Sequence, residues 1–170
     1  MLYRELENIQ ALLFQIKLNQ GPILDVGTGT GTALDLFPNS TTTVAVDSSL
    51  NMIKIARRKK ACYFVVADAL ALPFKNSTFE LVTAVGIFEY LSNQAAFLEE
   101  AKRVCEAAGY VLLTLSQLNM FNLFRLFLAQ PLRLLTYKNF INKTHRAGFN
   151  CLLKKKSLMQ FQVLLQRSTG

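Results

Sequence analysis

The spacing of hydrophobic positions changes repeatedly along the chain, and the changes outline its elements. From Leu2 to Leu18 apolar residues recur at helical spacing (Leu6, Ile9, Leu13, Ile16), which predicts an amphipathic helix. Gly21-Pro22 breaks it. The apolar run ILDVG (23–27) then predicts a buried strand ending in a glycine-rich turn. Thr30 to Phe37 reads as a short helix stopped by Pro38, and TTVAVD (42–47) as a second strand. Ser48 or Ser49 is placed to N-cap a helix running to Lys60. CYFVVAD (62–68), FELVTAVG (79–86) and YVLLTLS (110–116) supply three more strands. Between the last two, Ser92 is placed to cap a helix whose apolar face is Phe97, Ala101, Val104, Cys105 and Ala108. Tyr137 to Ala147 reads as a helix with Gly148 as its stop, and FNCLLK (149–154) with QFQVLLQ (160–166) as a closing hairpin.

The first five strands are mostly continuous apolar runs, as expected of strands buried on both faces of a parallel sheet. Strand-helix alternation predicts an α/β three-layer sandwich, with ligands outside the C-terminal strand ends. A length of 170 residues predicts one domain over 1–170, with an N-terminal helix in 1–20 and an apolar insert over 116–137.

Composition narrows the classes. The chain is 51% hydrophobic with 13 Phe, which excludes a disordered chain. Three scattered cysteines (Cys62, Cys105, Cys151) suggest reduced thiols in a cytoplasmic protein, with no metal site. Glu5 and Glu7 rule out a signal-peptide core at the N-terminus. The greasiest window, Met120 to Leu135, is broken by Arg125, Pro131 and Arg133, short of the roughly 20 apolar residues of a spanning helix. The net charge of +8 fits nucleic acid or an anionic membrane. Part of it, Arg57 to Lys60, closes a predicted helix, where cations complement the macrodipole.

Candidate chemistry begins at Asp25-Val-Gly27-Thr28-Gly29-Thr-Gly31, between a strand and a helix. Glycines let a backbone approach a ligand closely, and a helix start offers free N–H groups. The spacing is GxGxG, whereas a dinucleotide fingerprint is GxGxxG. Asp25 suits a ligand with a cationic end, such as the ammonium of S-adenosylmethionine (SAM), better than a pyrophosphate. Asp47 closes the second strand, where a carboxylate can accept both ribose hydroxyls or cap the next helix. Asp68-Ala69 follows the third strand, where the carboxylate can accept an adenine amino group, the Ala69 N–H can meet a ring nitrogen, and Leu70 and Leu72 can pack nearby. A turn-forming Asp is the alternative there.

The order ILDVGTGTG, VAVD, VADALALPFKNSTFELV, VGIFEYL and a helix before YVLLT resembles the class I SAM-dependent methyltransferases. It is most similar to the small-molecule group that includes ubiquinone and menaquinone biosynthesis methyltransferases. The resemblance covers roughly Ile23 to Leu115. It implies a Rossmann-like, mostly parallel seven-stranded sheet of order 3-2-1-4-5-7-6 with strand 7 antiparallel. It also implies a cofactor-binding set of Asp25, Gly27, Thr28, Gly29, Gly31, Asp47, Ser48, Asp68, Ala69 and Val85. Val85 to Tyr90 then flanks the methionine end and the acceptor. Departures from the family pattern are Glu80 where Asp is usual, Tyr90 where His is usual, and Ala107-Ala108-Gly109-Tyr110 in place of a Pro-Gly-Gly turn. Only about twenty residues precede the first strand, so the site is expected to be open or completed by a partner chain, such as the second copy of a homodimer.

Methyl transfer is an in-line displacement, so positioning and exclusion of water dominate, and a base is needed only for hydroxyl or acidic-carbon acceptors. Glu89 and Tyr90 are the catalytic candidates. The single histidine, His145, is expected on an exposed helix position. The insert 116–137 reads either as a helix packed on the sheet or as an apolar lid or interfacial helix. Lys154 to Lys156 read either as a solvated turn or as an attractor of an anionic group. The leading expectation is a SAM-dependent methyltransferase acting on a small, apolar or lipid-like acceptor such as a quinone, with peripheral membrane contact. An RNA or protein methyltransferase and a non-catalytic partner subunit of the same fold are the alternatives.

Overall fold

A computed structural model describes residues 2–16, 18–116, 149–156 and 160–167. Its strands are β1 (Ile23–Val26), β2 (Thr43–Asp47), β3 (Tyr63–Val66), β4 (Phe79–Ala84), β5 (Cys105–Ser116), β6 (Phe149–Lys156) and β7 (Gln160–Arg167). Its α-helices are α1 (Leu2–Leu13), α2 (Leu50–Ala56) and α3 (Gln94–Val104), with 3₁₀ turns at Thr32–Leu36 and Phe88–Tyr90. The strands form one seven-stranded sheet in the order β3-β2-β1-β4-β5-β7-β6. Neighbours from β3 through β5 are parallel, and β7 is antiparallel to both β5 and β6. Hence β6 runs with the first five strands. Sheet order and strand 7 direction are as the resemblance implied.

Both faces of the sheet are covered, which explains the unbroken apolar runs. On one face Leu24, Val26, Val82, Ala84, Val111 and Leu113 meet Phe97, Leu98, Ala101 and Val104 of α3. On the other, Ile23, Ala45, Leu81 and Leu112 meet Ile9 and Leu12 of α1 and Leu34 and Phe37 of the first 3₁₀ turn. Each of these side chains larger than alanine contributes about 1.5–3 kcal/mol by leaving water.

Several boundaries differ from the sequence expectation. α1 ends at Leu13, not Leu18, and its last turn tightens through Gln15 N to Leu12 O and Ile16 N to Leu13 O. The chain then turns because Glu80 takes the amides of Asn19 (2.5 Å) and Gly21 (2.6 Å). The short helix expected over 30–37 is a 3₁₀ turn over Thr32–Leu36. α2 stops at Ala56 rather than Lys60. Lys60 instead donates from Nζ to the carbonyls of Leu34 (2.6 Å) and Phe37 (2.7 Å), closing the 3₁₀ turn of a different segment.

Ser49, not Ser48, caps α2, accepting from Met52 N, and Asn93, not Ser92, caps α3, accepting from Ala96 N. The apolar face of α3 loses its last two expected members. Cys105 already belongs to β5, and Ala108 is exposed with φ 61°. Glu106–Gly109 form a bulge within β5 that breaks its register against β4, where Phe79 pairs with Cys105 but Leu81 with Tyr110. A Cβ at Gly109 would lie 2.8 Å from Cys105 Sγ and 2.9 Å from Glu80 O, so the close approach itself demands glycine. Of the insert expected over 116–137, Ser116 closes β5. Residues 117–137, the helix expected over 137–147 and His145 lie outside the described residues.

Candidate functional site

At the switch point of the sheet, β1 has β2 on one side and β4 on the other, and the loops at their C-terminal ends diverge to form a crevice. The turn after β1 is held down by Gly27 N and Thr28 N, which donate to Val46 O at 2.8 and 2.9 Å. Its glycines do three different things. A Cβ on Gly27 would lie 2.4 Å from Ile87 Cγ2, so Gly27 makes room for the loop after β4. One on Gly31 would lie 3.1 Å from Ala56 Cβ, so Gly31 lets α2 approach. At Gly29, φ is +54°, and the nearest atom to an added Cβ is 4.0 Å away. Gly29 alone of the three opens onto free space.

Asp25 lies on β1 with its side chain buried, only 1% exposed. Thr83 of β4 donates from Oγ1 to Asp25 Oδ1 at 2.7 Å. Asp25 Oδ2 is buried without a hydrogen bond. Burial, with a small push from the charge of nearby Asp47, raises the carboxyl to about 6 against the pull of the bonded Thr83 hydroxyl and of the Thr28 hydroxyl nearby, whose Oγ1 is itself buried without a hydrogen bond. An uncompensated carboxylate oxygen in such a place is costly unless a cation meets it.

Asp47, at the end of β2, accepts from Gly29 N through Oδ2 and from Ser49 N through Oδ1, both at 2.8 Å. It therefore locks the glycine loop to the start of α2. Asp47 is not itself the cap of α2, a position that Ser49 holds, and each of its oxygens retains a second lone pair for a further donor. Ser48 beside it is exposed. Asp68, two residues past β3, is exposed and accepts from Leu70 N at 2.9 Å, the turn-forming alternative. Ala67 N donates to Asp47 O at 3.2 Å, so the β2 and β3 ends stay in register. Ala69 is half-buried against the core, whereas Leu72 is buried within it. Asp25, Asp47 and Asp68 thus occupy the same end of three adjacent strands.

On the far side of the crevice, Gly86 N donates to the hydroxyl of buried Thr114 at 2.6 Å, tying the loop after β4 to β5. Val85 is half-buried and packs toward the α1 face of the sheet. Glu89 is half-buried in the second 3₁₀ turn, and Tyr90 is 76% exposed. Thr83, Ile87 and Thr114 were not singled out from the sequence. Thr83 and Thr114 carried a signal nonetheless: each is a lone hydroxyl in an apolar strand, and a buried hydroxyl needs a partner. Ile87 carried none. A hollow of about 470 Å³ lined by Arg57, Lys60, Cys62 and Phe64 lies along the opposite end of β3, away from these loops.

The fold is a Rossmann-like α/β sheet with a glycine turn and a row of carboxylates at the C-terminal ends of its strands. The Methyltransferase domain family matches residues 24–113, more than half of the chain, and the chain belongs to that family. It is 33% identical over 121 residues to a malonyl-[acyl-carrier protein] O-methyltransferase of Marinomonas sp., covering 66% of this chain and 45% of that protein. It is 33% identical over 98 residues to a demethylmenaquinone methyltransferase of Thermotoga maritima, covering 55% of this chain and 43% of that protein. The match thus spans less than half the length of these curated relatives. Among solved structures, a SAM-dependent methyltransferase of Aquifex aeolicus superposes with a TM-score of 0.73 at 20% identity, covering 92% of this chain and 88% of that one. Among the described residues, no helix is long and apolar enough to cross a membrane.

Proposed function

We propose that the chain is an enzyme that binds SAM in this crevice and methylates a small, apolar or lipid-like acceptor. The observation that carries the reading is Asp25: a buried carboxylate with one oxygen unpartnered, beside a glycine turn whose central Gly29 faces open space. A ligand with a cationic end and an adenosyl body satisfies that arrangement, and a pyrophosphate would meet repulsion from Asp25. Asp47 would accept the ribose hydroxyls with its remaining lone pairs. Asp68 and the Ala69 N–H would meet the adenine edge. The sulfonium of the bound cofactor supplies an electrophilic methyl group. The chain's own task is to align an acceptor beside Val85 to Tyr90 and keep water out, an alignment worth on the order of 7–11 kcal/mol. Glu89 and Tyr90 are the residues offered for acceptor contact or proton removal.

An apolar acceptor is favoured by the greasy stretch 116–137 and by the menaquinone relative. Because β6 runs with β5, Lys154 to Lys156 stand at the crevice end of the sheet, where an anionic lipid surface would be attracted.

Calorimetry with SAM, S-adenosylhomocysteine and NAD tests the cofactor. Binding of the first two without the third is expected, and NAD binding alone would overturn the reading. Asp47→Ala is expected to weaken S-adenosylhomocysteine by at least about 1 kcal/mol. Unchanged affinity in a folded variant would remove Asp47 from the ribose. Co-sedimentation with anionic vesicles and with RNA at two salt concentrations then separates acceptor classes; RNA binding without vesicle binding would favour a nucleic-acid methyltransferase.

A further inference from the structure

We propose that Glu100 and Arg103 of α3 are positioning residues for the adenine end of the cofactor, a proposal that rests on the SAM reading above. The loop from Asp68 to Thr78 carries no helix or strand, and its own backbone supplies only two turn bonds, Ala71 N to Asp68 O and Phe74 N to Leu72 O, while Ser77 N and Thr78 N donate to Arg103 O and Val104 O at the end of α3. The middle of the loop is held by α3, from two side chains one turn apart. Glu100 Oε2 accepts from Leu72 N at 2.9 Å. Arg103 Nη2 donates to Leu72 O at 2.8 Å, so both peptide groups of Leu72 are held by this pair. Arg103 Nη1 donates to Phe74 O at 2.7 Å and Asn76 Oδ1 at 3.0 Å. The two side chains lock each other, with Nε to Oε1 and Nη2 to Oε2 both at 2.8 Å.

Apart from Leu72 N, every donor of this arrangement is aimed by the planar fork of one guanidinium, which an ammonium cannot reproduce. Leu72 is anchored in the core directly below. Only the Asx turn of Asp68, Leu70 and Ala71 separates that anchor from the carboxylate and the Ala69 N–H offered to adenine. The other end of α3 holds the acceptor-side loop, where Gln94 Nε2 donates to Phe88 O at 3.2 Å. One rigid helix therefore spans the two loops that would grip the cofactor and the acceptor.

The test compares wild type, Arg103→Lys and Glu100→Gln, each checked by thermal melting to be folded at the working temperature. Affinities for S-adenosylhomocysteine and for adenosine are measured by calorimetry, and amide exchange is followed at Leu70 and Leu72. We expect both variants to lose about tenfold or more in affinity for S-adenosylhomocysteine and by a similar factor for adenosine, with faster exchange confined to the loop. Arg103→Lys should fail to rescue despite its retained charge. Variants that bind both ligands within twofold of wild type would overturn the proposal while leaving the SAM reading intact, as would a loss for S-adenosylhomocysteine without one for adenosine. A wild-type chain that binds neither ligand would overturn the SAM reading itself, and the proposal with it.

Discussion

Asp25 shows how a single position can be costly to the fold and useful to the site. Its carboxyl rises from 3.8 to about 6 on folding, chiefly through burial. The folded chain therefore holds that proton more tightly than the unfolded chain. Stability present below the unfolded value declines as pH climbs toward 6, and above 6 the ionised group costs about 3 kcal/mol. Asp25→Asn is thus expected to raise the melting temperature at pH 7.5, with the gain fading by pH 4, while weakening SAM. Melts at the two pH values check it, and a variant less stable than wild type at pH 7.5 would contradict it. In wild type, affinity for a cationic cofactor should also fall as pH drops below about 6. Gly27 makes the complementary point. Gly27→Ala places a Cβ against Ile87 and keeps a left-handed φ of 69°, so a loss of about 1–2 kcal/mol from backbone alone is expected, plus the clash. Adding Ile87→Ala should recover the clash and not the backbone part, which denaturant melts of the single and double variants separate.

At the scale of elements, the chain ends and caps are set by contacts between segments as much as within them. α3 is the clearest helix, with Asn93 accepting from Ala96 N at 3.1 Å and Lys102 and Arg103 in its last turn. Asn93→Ala should cost about 1 kcal/mol in a denaturant melt, whereas Ser92→Ala should cost little. Pattern reading placed the cap one residue early because Ser and Asn are adjacent and either is a good cap. The basic run Arg57 to Lys60 is a second case. Helical rules assigned it to the end of α2, yet Lys60 serves carbonyls 23 and 26 residues earlier in the chain. No local rule reaches that far.

For the whole molecule, the sheet order implies a gradient of protection. β4 is buried at every position and sits between β1 and β5, while β3 is one of the two edge strands and is exposed at both ends. Amide exchange should be slower in β4 than in β3. Equal protection across the two would contradict the burial pattern. Much of this architecture was legible beforehand, because unbroken apolar strands alternating with helical stretches have few ways to bury both sheet faces. The glycine turn and the acidic residues at strand ends were legible for a related reason: their chemistry is local to a motif. Other features belong to the tertiary structure alone. Which glycine faces open space depends on Ile87 and Ala56, brought close by folding. The raised carboxyl of Asp25 depends on burial against β4, and the hold of α3 on the Asp68 loop joins residues 28 to 31 positions apart. Periodicity and motif spacing record what a residue does for its own segment. Partners supplied by distant segments leave no periodic trace, so only the folded chain reveals them.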